Sequence, residues 1–137
     1  MFNKLSNSSG VTLIEIMIAV LTFAIGISAI LAVCVQGMTT ARRTEAAYTA
    51  YNLAKNRIET LKSITFSDLA SASETSTVLD ASGVADLEGT FTRTTVITTN
   101  YNSDANLTQA KVTIYYTVKG TQSAAPLEMT TVIYRNA

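Results

Sequence analysis

Residues 16–41 contain no charged side chain, and residues 16–35 form an apolar run broken only by Thr22, Gly26 and Ser28. As a helix that run spans about 30 Å, the thickness of one hydrocarbon core. It is the chain's candidate transmembrane segment. Any fold must remove this stretch from water, because exposed apolar surface is unfavourable. The whole chain has 137 residues, enough for one ordinary domain beside the apolar run. The formal net charge is zero, which gives no attraction to polyanions, so no nucleic-acid partner is expected.

The chain has one Cys, one Pro, no His and no Trp. One Cys rules out an internal disulfide framework. Without His, most zinc sites and the imidazole-based triads and dyads are excluded. Composition thus weighs against an enzyme, and no cofactor is expected. Asp80, Asp86 and Glu88 are the acids nearest to a cation cluster, but their spacing is not that of a calcium loop.

Three readings compete for the N-terminus. A secretory signal peptide fits Lys4, but its apolar region is usually about 7–15 residues. The run here is longer, contains no small-x-small cleavage site at its end and is preceded by Glu15. A lipoprotein signal would end at Cys34, but Val33 stands where a small residue is needed. Cys34 then reads as a small apolar helix residue. The third reading is a retained anchor behind the short polar leader MFNKLSNSSG.

Glu15 is the anomaly in that anchor. An ionisable residue in a membrane segment is costly and is by default a functional hypothesis. Three ordinary roles compete: snorkelling to the headgroups, entering the bilayer protonated, and complementing the helix macrodipole near its positive end.

The run GVTLIE, Gly10 through Glu15, resembles the type IV prepilin processing motif. The resemblance implies that a membrane aspartyl peptidase, the prepilin peptidase, cuts after Gly10 and methylates the new N-terminus at Val11. Glu15 then takes the fifth mature position, where the family carries its glutamate. Val11 departs from the Phe or Met that usually stands first. The resemblance further implies that Glu15 of one subunit pairs with the Val11 amine of a neighbour and sets axial register. Such a pair is strong in low dielectric, though desolvation opposes it. Thr12 would supply a nearby hydroxyl.

The helix is expected to continue to about residue 62, since no Pro falls between positions 11 and 62. Gly26 sits among small residues in AIGISA and reads as a close-packing position. Arg42 and Arg43 mark the exit from the apolar run. Beyond them Tyr48, Tyr51, Ala54, Ile58 and Leu61 recur at helical spacing and form the expected core face. Arg43, Lys55, Arg57, Glu59 and Lys62 are assigned to other faces.

Residues 67–89 read as loop with at most a short strand or helical turn. Three strands are expected at 90–99, 110–119 and 127–135 from their alternation and β-branched content. Val112, Ile114, Tyr116 and Val118 share one face of the second; Leu127, Met129, Thr131 and Ile133 share one face of the third. The expected fold class is therefore α+β. One long helix, its N-terminal half transmembrane, packs on a small antiparallel sheet, the pilin-like layout. The organisation is a leader at 1–10, a membrane half at 11–40, an amphipathic half at 41–66 and a head at 67–137.

The chain is most similar to V-type minor pilins and to I-type minor pseudopilins of type II secretion. Ala54, Asn56, Glu59 and Leu61 approximate a phrase of those proteins. It lacks the mid-helix Pro and the C-terminal Cys pair of major pilins. The resemblance implies a structural subunit that enters or initiates a type IV pilus. Its partners would be the prepilin peptidase, other pilin or pseudopilin subunits, the inner-membrane assembly platform and the lipid bilayer. It would sit in the bacterial inner membrane with its head in the periplasm, then in a surface pilus or periplasmic pseudopilus. The alternatives are a secretion pseudopilin and a single-pass adhesin or binding module.

Overall fold

The computed structural model describes residues 11–135. The expected leader, residues 1–10 with Gly10, lies outside them. The chain divides into two compact units, residues 1–40 and 41–137.

Helix α1 (Leu13–Ser63) is 51 residues long. It ends close to the expected position, with Lys62 in its last turn complementing the negative end of the dipole. In the first unit every residue from 11 to 38 is exposed. No side of this segment is polar, and an all-round apolar helix belongs inside a large core or a membrane. Its length and composition suffice to cross a bilayer. The hydroxyls do not oppose this, because each bonds back to its own helix. Thr22 Oγ1 donates to the carbonyls of Ala19 and Ile18 at 2.9 and 3.0 Å. Ser28 Oγ donates to Ala24 O at 2.8 Å. Polar groups satisfied within the segment can enter hydrocarbon. Gly26 meets nothing within 4 Å of an added Cβ, so among the described residues nothing packs against it.

In the second unit the rest of α1 covers an antiparallel sheet. A 3-10 turn (Phe66–Ala72) leads to β1 (Glu74–Leu79), followed by β2 (Phe91–Thr99), β3 (Leu107–Val118), β4 (Thr121–Gln122) and β5 (Leu127–Tyr134). The order is β1-β2-β3-β4, with β5 also paired to β3. β5 takes residues 107–114 of β3, and β4 takes Thr117 and Val118. Lys119 and Gly120, both at positive φ (52° and 75°), make the two-residue turn between β3 and β4.

The three expected strands are present within about three residues of their expected ends. β1 lies in the stretch read as mostly loop, and β4 in the connector after Gly120. β3 places Thr108, Ala110, Val112 and Ile114 in the core, while Tyr116 and Val118 on the same face are only half-buried. The inward residues of β5 (Leu127, Met129, Thr131 and Ile133) are half-buried, as suits an edge strand.

The helix face differs from expectation. The buried residues are Ala50, Leu53, Ala54, Ile58 and Leu61. Tyr48 is 67% exposed and Tyr51 46%. At about 100° per residue, Ala50, Ala54, Arg57 and Leu61 fall close to one line. Tyr51 lies at the margin of that face and Tyr48 nearly opposite. The pattern was hidden because its first member is an alanine. Leu69, Leu79, Phe91, Val112 and Ile114 complete the core. Full burial of each large apolar side chain contributes about 1.5–3 kcal/mol.

Candidate functional site

The tip of α1 gathers three of the residues singled out by sequence. Thr12 is the residue just before the helix. Its carbonyl accepts from the N–H groups of Glu15 and Ile16 at 3.1 and 3.3 Å. Its Oγ1 accepts a long bond from Glu15 N–H at 3.4 Å. Thr12 is thus the N-cap and Glu15 the third helical residue, the S/T-x-x-E spacing of a capping box. Only half of that box is closed. Among the described residues the Glu15 carboxylate has no hydrogen bond or ion pair, and it is exposed. The hydroxyl of Thr12 therefore shapes the helix start, a role the sequence reading did not assign.

Val11, Glu15, Ala19 and Phe23 follow at four-residue spacing and line one shallow groove along the helix. Val11 precedes the N-cap and stands four positions before Glu15 in the chain. In the intact chain the Val11 nitrogen is an uncharged amide in peptide linkage to Gly10. Cutting that bond would create an ammonium four positions before a carboxylate, near the positive end of the helix dipole. Gly10 lies outside the described residues.

The head holds a charge cluster that sequence reasoning missed. Glu74 Oε1 lies 2.7 Å from Arg57 Nη2, and its Oε2 lies 2.9 Å from Arg93 Nε. Arg57 Nη2 also donates to Ala72 O at 2.7 Å. The side chains of the two arginines are 14% and 13% exposed. Arg57, expected on another face of the helix, lies on the core face beside Ile58. Burial pulls its pKa down, Glu74 opposes that shift, and Arg93 adds a smaller lowering. Arg57 Nε is buried without a hydrogen-bond partner among the described residues.

A β-bulge makes this cluster possible. Glu74 pairs with Thr95 and Thr77 with Arg93, so three residues of β1 span two of β2. Ser76, at φ 49°, is the extra residue. Glu74 and Leu79 are separated by an odd number of positions and would face opposite sides of a regular strand. The bulge turns both inward. The signal in the sequence was a lone acid before a strand that fails to alternate, which is too faint to read without the register.

Asp80, Asp86 and Glu88 do not converge on a cation. Among the described residues there is no group of three or more His, Cys, Asp or Glu placed to hold a metal. Asp80 Oδ1 accepts from Ser82 Oγ at 2.8 Å and from the N–H groups of Ser82 and Val84 at 2.9 Å. These bonds, led by the Ser82 hydroxyl, hold its carboxyl below the usual range. Asp86 Oδ1 accepts from Glu88 N–H at 3.0 Å. Each aspartate fixes its own turn. A separate cleft of about 280 Å³ lies between Arg43 and the residues around β4.

Comparison of the chain with family models, with curated proteins and with solved structures finds no match.

Proposed function

We propose that this chain is a structural, non-catalytic subunit of a type IV pilin-like assembly, a minor pilin or pseudopilin anchored in the bilayer by the first part of α1. Prepilin peptidase removes residues 1–10 by cutting after Gly10 and methylates Val11. The observation that carries the reading is the exposed Glu15 carboxylate, without a partner among the described residues, at the capped start of an exposed, all-round apolar helix, four positions after Val11. A buried ionisable group with no partner is costly in hydrocarbon. The ammonium released at Val11 supplies the opposite charge in the segment where it is most effective.

Geometry adds a condition to the register argument. After cleavage an amine of its own chain, that of Val11, stands four positions before Glu15. Pairing with a neighbour must compete with that intrachain pair. Assembly then exchanges one partner for another, which favours register over net stability.

The test is the mature N-terminus. Mass spectrometry of the full chain expressed with prepilin peptidase gives a methylated Val11 start, and Gly10→Asp leaves the leader in place. Normal processing of the Gly10 variant rejects the reading. Glu15→Gln retains hydrogen-bonding capacity but removes the charge. It is processed normally and fails to enter filaments; unchanged incorporation removes the register role.

A further inference from the structure

Leu87 is 96% exposed. A single exposed leucine is ordinary, but this one is braced on both sides. Ala85 bridges Leu79, and Asp86 N–H donates to Val78 O at 3.1 Å. Glu88 N–H donates to Asp86 Oδ1 and Gly89 N–H to Asp86 O, both at 3.0 Å. Residues 84–86 thereby bond along β1 on the edge that β2 leaves free. Leu87 stands on this fixed rim with a carboxylate at each neighbouring position, Asp86 and Glu88.

At the other end of the strand order β1-β2-β3-β4 lies the cleft of about 280 Å³. Tyr116, Val118, Ala124 and Ala125 give it apolar lining, and Arg43 supplies a positive charge. An apolar cavity of about 150 Å³ already holds a benzene, so an isobutyl group fits. Phe91, just after the Leu87 loop, pairs with Tyr116 of the cleft. Knob and cleft therefore occupy the same end of the sheet, on opposite edges.

We propose that the occupant of the cleft is Leu87 of a second copy of this chain, with its Asp86 and Glu88 beside Arg43. Knob and hole are different surfaces, so the contact is heterologous. Each joined pair keeps one free knob and one free hole, and the contact can repeat. The proposal rests on the reading of the chain as an assembly subunit and names the head surfaces that meet.

The test uses the full chain in cell membranes, with Cys34→Ser as background and Val96→Cys on the outer sheet face as the collision control. Under mild oxidation, Leu87→Cys or Ala124→Cys alone stays at the control level. Co-expression of the two gives a disulfide-linked dimer, and the double variant gives a ladder of dimer, trimer and higher species. Asp86→Lys with Glu88→Lys lowers the ladder about tenfold, as expected for loss of a hot-spot contact, and adding Arg43→Glu restores it. No heterodimer above control, or a Leu87→Cys homodimer above control, overturns the contact. The mature N-terminus is read on the same samples. A Val11 start without the ladder overturns this contact alone; a ladder on chains that prepilin peptidase never cuts overturns the processing reading alone.

Discussion

Glu74 serves two arginines with one carboxylate: Arg93 reaches both oxygens, and Arg57 shares Oε1. Removing the acid leaves two like charges facing each other in a largely dehydrated space. Breaking a fully buried pair costs about 3–5 kcal/mol. Glu74 is one-quarter exposed, so solvent screening reduces this to about 2 kcal/mol for Glu74→Ala. Glu74→Gln, which keeps one accepting oxygen, costs less. Urea unfolding of the detergent-solubilised chain, followed by tyrosine fluorescence, measures both, and 1 M salt narrows the gap from wild type. Asp80 acts at the same scale through pH. Its carboxyl is held below the ordinary value in the folded loop. Its contribution is thus complete above the ordinary carboxylate range and is lost as pH falls through the lowered folded value. Amide exchange at Ser82 and Val84 speeds up in that acid window, and Asp80→Asn abolishes the dependence.

At the scale of elements, the β1–β2 connection is the most constrained part of the head. A Cβ on Gly89 would run into the carbonyl of Leu79. Backbone cannot yield as a side-chain tip can, so Gly89→Ala must push β1 away from the turn. The expected cost is about 2–3 kcal/mol, with the β1 amides losing protection first; an unchanged exchange pattern would count against this account. The same connection explains what the sequence hid. β3 and β5 were legible because Val112 and Ile114, or Leu127 and Met129, stand two residues apart on one face, and β2 because it is rich in β-branched residues. β1 was not, because Ser76 breaks its alternation and the pair Glu74–Leu79 has the wrong parity until the bulge is known. α1 was legible in extent, from uninterrupted helix-compatible sequence. Its core face was not, because aromatic Tyr48 and Tyr51 outweighed Ala50 and Leu53 in the pattern. Arg57 was misplaced for the same reason: on the true face it sits three residues after Ala54 and four before Leu61. The spacing of Gly10, Val11 and Glu15 was legible as a motif, whereas the capping role of Thr12 needed the backbone.

At the scale of the molecule, one helix has two halves of different character, and the two halves answer to different forces. Residues 11–38 bury nothing in their own chain, and their hydroxyls bond internally. Residues from Ala50 onward supply five members of the core cluster. The compact unit 41–137 includes that second half, so the head's core is complete without the apolar run. A chain beginning at Ala41 should therefore fold as a soluble domain with the helical signal of residues 41–63 and a cooperative urea transition. A chain beginning at Ile64 should not, because it lacks Ala50, Leu53, Ala54, Ile58 and Leu61, which close the sheet's inner face. Losing Leu53, Ile58 and Leu61 alone forfeits about 5–9 kcal/mol of apolar burial, comparable to the whole stability of a domain of this size. Circular dichroism and size-exclusion chromatography of the two fragments decide the matter. A folded Ile64 fragment would show that the helix only decorates the sheet, and an unfolded Ala41 fragment would show that the head depends on the membrane half.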